Sequence, residues 1–468
     1  MNLKKAIAAL AIVGLTLLGA TGATAEYGTI DNVPAATLLL PYFEVDLDGT
    51  GTSGVNTLFS INNASAVPTV AHVVIWSDLT VPVLDFNVYL TGYDVQTINL
   101  FNIIVNGNLP QTADWDSDGV NTPGVTAGAT SPQGATGDIP DDLRDNTGGE
   151  YSGDPTGWDG SFPNCGAGLP PVPSILLNRL QEGLTGQPTD FDALDPGGNG
   201  PCIGFDHGDR IARGYVTVDN VTECTVQFPG EVNYFGTATV SHENQLWGDY
   251  ALIDPDNNFA IGETLVHIES EPNENIIVTG KTFYARYVSD TGADRREALQ
   301  NQHATRFISG GAFDGGTSLL VWREGQPWNP VTDGLSFDCS LEAGGNTYSW
   351  YPLNETSVVA FDEQEQWEEL CEPFEELSPI SPPLDIFEDP VCFPLETQRT
   401  QVGVGELDPA ANFGWLYLNL EVFSDGPEYA QSWVVTQMSA LGRYSVGYDA
   451  MQLNNLSGIG GLTAAPTQ

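Results

Sequence analysis

Basic residues are scarce in this chain of 468 residues, which contains 14 lysines and arginines against 62 aspartates and glutamates. The formal net charge of −48 repels nucleic acid and anionic membrane surfaces, so neither is an expected partner. Charged residues nevertheless make up only 16% of the chain, and 41% of the residues are hydrophobic. That composition argues against a disordered polyelectrolyte, because it provides enough apolar material for a large core.

Long apolar runs are also scarce, and the clearest one lies at the N terminus. Lys4 and Lys5 precede an uncharged apolar run over residues 6–18, and Ala23 and Ala25 are the small residues that a signal peptidase reads. The run is shorter than the roughly 20 residues that a transmembrane helix needs. We therefore expect residues 1–25 to be a cleaved signal peptide and the mature protein to lack an integral membrane segment. Its expected location is the periplasm, the cell surface or the extracellular medium.

Cysteines are few, and no two of them form a CxxC pair, so a zinc-ribbon or thioredoxin-like motif is unsupported. An even number of cysteines in an exported chain favours disulfides. The first two bracket a loop-rich stretch and the last two flank a proline-rich loop, so both pairs are expected to close locally, which leaves the middle two for a long-range bridge. In chain order they are Cys165, Cys202, Cys224, Cys339, Cys371 and Cys392.

Helical periodicity is rare, whereas short runs of β-branched and aromatic residues separated by turn residues recur along the chain. This pattern predicts an all-β protein with two or more β-sandwich domains, Ig-like or jelly-roll-like, and a long disulfide-stapled loop insertion. Short helices are expected at Ser174–Leu184, which Ser174 can cap, and at residues 293–303. The predicted divisions are a β-sandwich portion at 26–108, a Gly/Pro/Asp-rich loop region at 109–205, a β-rich portion at 206–310, a second β-sandwich at 311–453 and a flexible tail at 454–468.

Several short segments resemble an uncharacterised set of secreted bacterial proteins. The resemblance is spread over most of the mature chain, and it implies a shared secreted fold. It implies no activity and assigns no functional residue. The segments are NTLFSINNAS at 56–65, DFNVYLTGYDVQ at 85–96, ARGYVTVD at 212–219, GAFDGG at 311–316 and GWLYL at 414–418.

The best candidate for a metal site is a run of alternating aspartates. Asp114, Asp116 and Asp118 are followed by Gly119, which matches the start of an EF-hand-type calcium loop. Close oxygen ligands suit calcium, and a bound ion offsets their mutual repulsion. The twelfth position is Val125 where the motif has glutamate, so another ligand would have to come from elsewhere in the chain. The alternative interpretation is an acidic surface turn, and the sequence does not decide between them.

A second alternating run, Glu44, Asp46 and Asp48, has the same spacing. Apolar residues separate its carboxylates, which favours the end of a strand with one wet face over a calcium loop. Elsewhere, His242 begins a zinc-protease pattern but lacks the second histidine. The two histidines within apolar strands, His72 and His267, are expected to be packed in the core.

A glycosidase needs only two carboxylates across a cleft, but with 62 acidic residues close pairs arise without selection for catalysis. The favoured interpretation is therefore an exported, non-catalytic structural or adhesive protein, for which calcium is the candidate stabilising ion and a cell surface or polysaccharide the candidate partner. The runner-up is a secreted polysaccharide-active hydrolase or carbohydrate-binding protein, and the oligomeric state is left open. Candidate sugar-binding tryptophans are Trp247, Trp322, Trp328, Trp350 and Trp367.

Overall fold

A computed structural model describes the parts of the chain that form the sheets. The predicted signal peptide, the predicted calcium loop and the first four cysteines lie outside the described residues. The structure describes residues 32–110, 161–162, 171–172, 174–187, 203–222, 225, 227, 229, 234–235, 239–271, 282–288, 294–325, 353, 355–371, 392–421 and 430–453.

Twenty strands and two helices occupy the described ranges. The helices are α1 (Leu100–Ile104) and α2 (Ser174–Leu184). The strands are β1 (Thr37–Asp46), β2 (Asn56–Asn63), β3 (Thr69–Ser77), β4 (Pro82–Leu90), β5 (Val95–Asn99), β6 (Ser161–Phe162), β7 (Ile211–Val221), β8 (Leu246–Trp247), β9 (Asp249–Asp254), β10 (Phe259–Thr264), β11 (Val266–Ile268), β12 (Gln302–Ile308), β13 (Gly316–Arg323), β14 (Ser357–Phe361), β15 (Trp367–Leu370), β16 (Thr397–Gln401), β17 (Phe413–Asn419), β18 (Ser432–Ala440), β19 (Tyr444–Asp449) and β20 (Met451–Gln452).

The first sandwich consists of a six-stranded sheet, in the order β11-β1-β7-β3-β4-β6, and a five-stranded sheet. The second sheet has the order β10-β9-β2-β5, with β8 also paired to β2. Strands from both ends of this half of the chain interleave, because β7 pairs with β1 and β3, and β9 pairs with β2. Phe43 and Phe86 of the larger sheet and Phe59 and Ile98 of the smaller one belong to the core of this sandwich.

The second sandwich consists of a five-stranded sheet, β15-β14-β17-β12-β20, and a four-stranded sheet, β16-β13-β18-β19. Its core includes Phe307, Val321 and Leu416. The disulfide between Cys371 and Cys392 borders this core, with the two Cα atoms 5.5 Å apart, and it confirms the predicted local pair.

A third core joins the two sandwiches. Trp76 and Tyr215 of the six-stranded sheet stack with ring centroids 5.7 Å apart, and Tyr215 meets Trp322 of the four-stranded sheet edge-on at 6.0 Å. The central strands of both inner sheets are consequently buried on both faces, and every residue of β3 and β13 is buried. Because neither face meets water, these strands read as continuous apolar runs rather than as alternating ones.

The all-β expectation is confirmed, with several antiparallel sheets in the described residues. The predicted helix at Ser174–Leu184 is confirmed as α2, whose Leu176 and Leu180 pack into the first core. The second predicted helix, at residues 293–303, is wrong. Arg296 and Glu297 form isolated bridges with other segments instead, since burial of the Arg296 side chain among carboxylates overrides local helical preference.

Candidate functional site

One cluster of ionised groups lies in the interior, behind the six-stranded sheet. The Arg296 side chain is fully buried, with its Nε 3.5 Å from Asp219 and its Nη1 3.4 Å from Asp294. The hydroxyls of Tyr234 and Tyr284 both donate to Asp219. Burial raises the pKa of the Asp294 carboxyl, while Arg296 opposes that rise. Every member of this cluster has an interior partner, so its chemistry serves folding.

A second buried cluster lies where the two sandwiches meet. Arg286 pairs with Glu396 at 2.6 Å, and the Tyr215 hydroxyl donates to the same carboxylate at 3.2 Å. Gln431 donates to Glu324 at 2.9 Å. Burial raises the pKa of Glu324 to about 7, although Arg286 and the Gln431 bonds oppose the rise. Perturbed carboxyls of this kind also occur in structural ion-pair networks, and here they connect segments of both sandwiches.

The acidic run at the end of β1 is part of the fold. The strand ends at Asp46, as the strand-end interpretation predicts. Glu44 is buried rather than wet, because the Tyr42 hydroxyl donates to it at 2.7 Å and Arg399 of the second sandwich pairs with it at 3.1 Å. Asp46 accepts a hydrogen bond from the Asp48 N–H at 2.9 Å, and Asp48 pairs with Arg210 at 3.1 Å, so each carboxylate of this run has a protein partner.

His72, His267 and the two described cysteines are buried. His72 is fully buried and His267 is 4% exposed, which confirms that both are packed, and burial lowers the pKa of His72 to about 4. Glu355 approaches the sulfurs of Cys371 and Cys392, but these are joined in a disulfide and supply no thiolate ligand.

The outer surface of the second sandwich carries large aromatic side chains that are not buried. Trp367 is 60% exposed, Phe413 is 46% exposed and Trp415 is 44% exposed, while Phe361 and Tyr417 are half-buried. We call these five residues the aromatic face. Soluble proteins rarely leave such side chains together in water, and a contiguous apolar patch typically marks an interaction site.

Strand register places the aromatic face in rows. Phe361 lies directly opposite Trp367 on one side and Trp415 on the other, and Trp415 lies opposite Arg306. Directly paired residues of antiparallel strands share one face of the sheet, so these four side chains form a row across β15, β14, β17 and β12. The Arg306 guanidinium lies over the Trp415 ring, 5.2 Å from its centroid. This contact orients the end of the row.

Gly414, next to Trp415 on β17, occupies a position where a side chain would clash with its neighbours. A Cβ atom on Gly414 would lie 2.0 Å from the carbonyl oxygen of Phe361 and 3.1 Å from the Phe307 ring. Because glycine has no side chain, β14 and the Phe307 ring can approach the backbone of β17 closely at Gly414.

The outer surface of the first sandwich has a different chemistry. It contains a cavity of about 770 Å³ with a mixed lining of apolar residues, such as Leu58, Ile103 and Leu109, and polar ones, such as Ser60, Thr97 and Asp249. We call it the polar groove, after its hydrogen-bonded polar residues. Ser60 donates to Asp249 at 2.6 Å, and Asn62 donates to Ser60 at 3.0 Å. Ser60 and Asp249 thus bond each other, which leaves less of their hydrogen-bonding capacity for a ligand.

The candidate tryptophans fall into different environments. Trp367 is on the aromatic face, Trp247 on β8 is 42% exposed, and Trp322 is buried in the third core. Trp328 and Trp350 lie outside the described residues, as do the predicted calcium ligands Asp114, Asp116 and Asp118.

Sequence reasoning missed Trp415, although the signal was available. In the segment FGWLYLN, aromatic residues alternate with Gly414, Leu416 and Leu418, and all three of these are buried. A period of two with aromatic residues on the outer side predicts an aromatic sheet face.

Within the described parts of the chain, no helix is long and apolar enough to cross a membrane. Comparison with known proteins found no family model, no curated protein and no solved structure that matches the chain.

Proposed function

We propose that the protein is an exported, non-catalytic component of the cell envelope or cell surface, structural or adhesive, that attaches through the aromatic face. The supporting observation is the exposure of Trp367, Phe413 and Trp415 together on one sheet. Large aromatic side chains contribute the most contact energy at interfaces, and leaving them in water has a cost unless a partner covers them.

The packing of the four sheets into one rigid body supports an adhesive role. The central strands of the inner sheets are buried on both faces, and ion pairs such as Arg399 with Glu44 connect the two sandwiches. A rigid body loses little conformational entropy when its surface is covered, so the contact energy of the aromatic face is available for attachment.

Calcium is part of the proposal as a stabilising ion. Asp114, Asp116 and Asp118 are the candidate ligands, and a chain with a net charge of −48 gains from a bound divalent cation. Export through the predicted signal peptide would place the protein where calcium is available.

Attachment can be tested with the mature chain, beginning at Glu26 and labelled with a fluorophore. The labelled protein should be retained on washed cells of the strain that exports it. Trp367→Ala combined with Trp415→Ala should abolish most of that retention. Trp247→Ala is the matched control, because Trp247 is about as exposed as Trp415, at 42% against 44%, but belongs to the other sandwich. Equal retention of the double variant and the parent would contradict attachment through the aromatic face.

A further inference from the structure

We infer that the aromatic face binds a neutral polysaccharide, whose chain lies across strands β15, β14, β17 and β12. The inference rests on the proposed function and deepens it, since it names the chemical class of the surface to which the protein attaches. It is supported by the register of the aromatic row and by the acidic residues around it.

The spacing of the aromatic side chains suits a polymer of linked rings. Trp367, Phe361 and Trp415 occupy adjacent strands in direct register. Neighbouring strands are about 4.8 Å apart, so the two tryptophans stand on backbones roughly 10 Å apart. That distance is on the scale of two linked pyranose units, and each ring can receive the apolar C–H face of a sugar.

Further rows of the same face provide hydrogen-bonding groups. One row pairs Ser357 with Asn419 and Asn419 with Gln302, so a hydroxyl and two amides follow one another across three strands. This row lies four residues along the strands from the aromatic row, roughly 13 Å away, so it could contact only a part of the ligand beyond that row. All three side chains are partly exposed. Amides and hydroxyls both donate and accept hydrogen bonds, as the hydroxyl groups of a sugar require. A protein partner with an aliphatic surface would form no hydrogen bonds with this row and would not match the separated aromatic rings.

The carboxylates beside the aromatic face disfavour an anionic ligand, and Arg306 is the one basic residue of the row. Glu363, Glu365 and Glu369 are exposed on or beside β15, next to Trp367. An anionic polymer would meet these carboxylates, and the net charge of −48 would repel it further. A second copy of the chain carries the same charges, so two aromatic faces would bring their acidic edges together. A neutral sugar polymer avoids both costs.

Binding is measured with the mature chain by sedimentation with insoluble cellulose, chitin and neutral mannan, with alginate as the anionic polymer. We expect binding to at least one neutral polymer, insensitive to salt because no ion pair is involved. Trp367→Ala and Trp415→Ala should each weaken it by roughly tenfold, which corresponds to about 1.4 kcal/mol. Trp247→Ala should leave the affinity within about twofold, and all three variants should keep the parent melting temperature within a few degrees because the side chains are exposed.

Three results would overturn the inference: no binding to any neutral polymer, preferential binding to alginate, or unchanged affinity in the double variant Trp367→Ala with Trp415→Ala. Sedimentation velocity adds a fourth, which is a dimer that dissociates in this double variant and identifies a second copy as the occupant. The cell assay separates the two proposals. Retention that needs the aromatic face without polysaccharide binding would refute the inference alone, and polysaccharide binding without retention on cells would refute the proposed function alone.

Discussion

The two five-stranded sheets expose different groups on their outer faces, although β10 of the first sheet also contacts the second sandwich, where the Ala260 N–H donates to Ser445 of β19 at 3.1 Å. On the first sandwich, Ser60 and Asp249 bond each other in the polar groove. On the second, Trp367 and Trp415 stand in water on the aromatic face. The inner face of a strand must be apolar for the sandwich to form, but the outer face has no such requirement. The difference between the two outer faces therefore reports on what each one contacts.

The largest loss of stability is expected from substitution of a glycine in the second sandwich. Gly414→Ala would place a Cβ atom 2.0 Å from the Phe361 carbonyl oxygen, so β17 has to move and the unfolding free energy should fall by roughly 3 kcal/mol or more. Gly262→Ala in the polar groove is the control, because its Cβ would meet only the Tyr250 carbonyl oxygen at 3.6 Å. Chemical denaturation of both variants checks this contrast, and a similar loss in both would show that the close approach at Gly414 is unimportant.

A second prediction concerns the layer that joins the two sandwiches. Burial raises the pKa of Glu324 to about 7, so between pH 4.5 and 7 the folded state binds more protons than the unfolded state. Stability from this group is therefore lost as pH rises through that window. Glu324→Gln removes the ionisation and should stabilise the protein at pH 8 by up to about 3 kcal/mol, with little change at pH 4.5.

The control for this variant is the parent at each pH. His72, whose pKa is lowered to about 4, acts with the opposite sign: its contribution is lost as pH falls from 6.5 towards 4. Denaturant titrations of both proteins at pH 5 and pH 8 isolate the Glu324 contribution. A difference between variant and parent that stays the same at both pH values would contradict it.

Calcium binding should affect the two outer faces to different extents. The predicted ligand Asp114 lies four residues after Pro110, which lines the polar groove. We expect calcium at a hundredfold excess over Kd to stabilise the protein by about 2.7 kcal/mol. Amide exchange should slow around the polar groove more than around the aromatic face.

Magnesium at equal ionic strength controls for general screening of the acidic surface. The variant Asp116→Ala with Asp118→Ala should lose the calcium-dependent rise in melting temperature. If this variant responds to calcium as the parent does, the acidic-turn interpretation is the correct one.

The smallest change in stability is expected for a substitution in the polar groove. Ser60→Ala removes the hydrogen bond to Asp249 and the acceptor for Asn62, and it should lower stability by about 1 kcal/mol. It should not change polysaccharide binding, since the aromatic face is on the other sandwich. A loss of binding as large as that of Trp415→Ala would place the ligand in the polar groove instead.

Part of this architecture was predictable because the signals were local. The apolar spacing of α2 and the proline-rich loop between Cys371 and Cys392 depend on residues close in the chain, and both predictions are confirmed. The helix predicted at residues 293–303 failed for the opposite reason. Arg296 finds Asp219 at a separation in the chain that no local pattern records, and that contact decides its conformation.

The all-β class and the acidic character follow from the amino-acid sequence alone, since strand preference, turn residues and charge are properties of short segments and of composition. The sequence also contained the alternation that puts Phe413, Trp415 and Tyr417 on one side of β17. Register between distant strands depends on how the whole sheet packs. The sequence therefore did not reveal that Trp367 and Phe361 lie in the same row as Trp415. The same holds for Trp322, which is as apolar as its exposed counterparts but is buried where the two sandwiches meet.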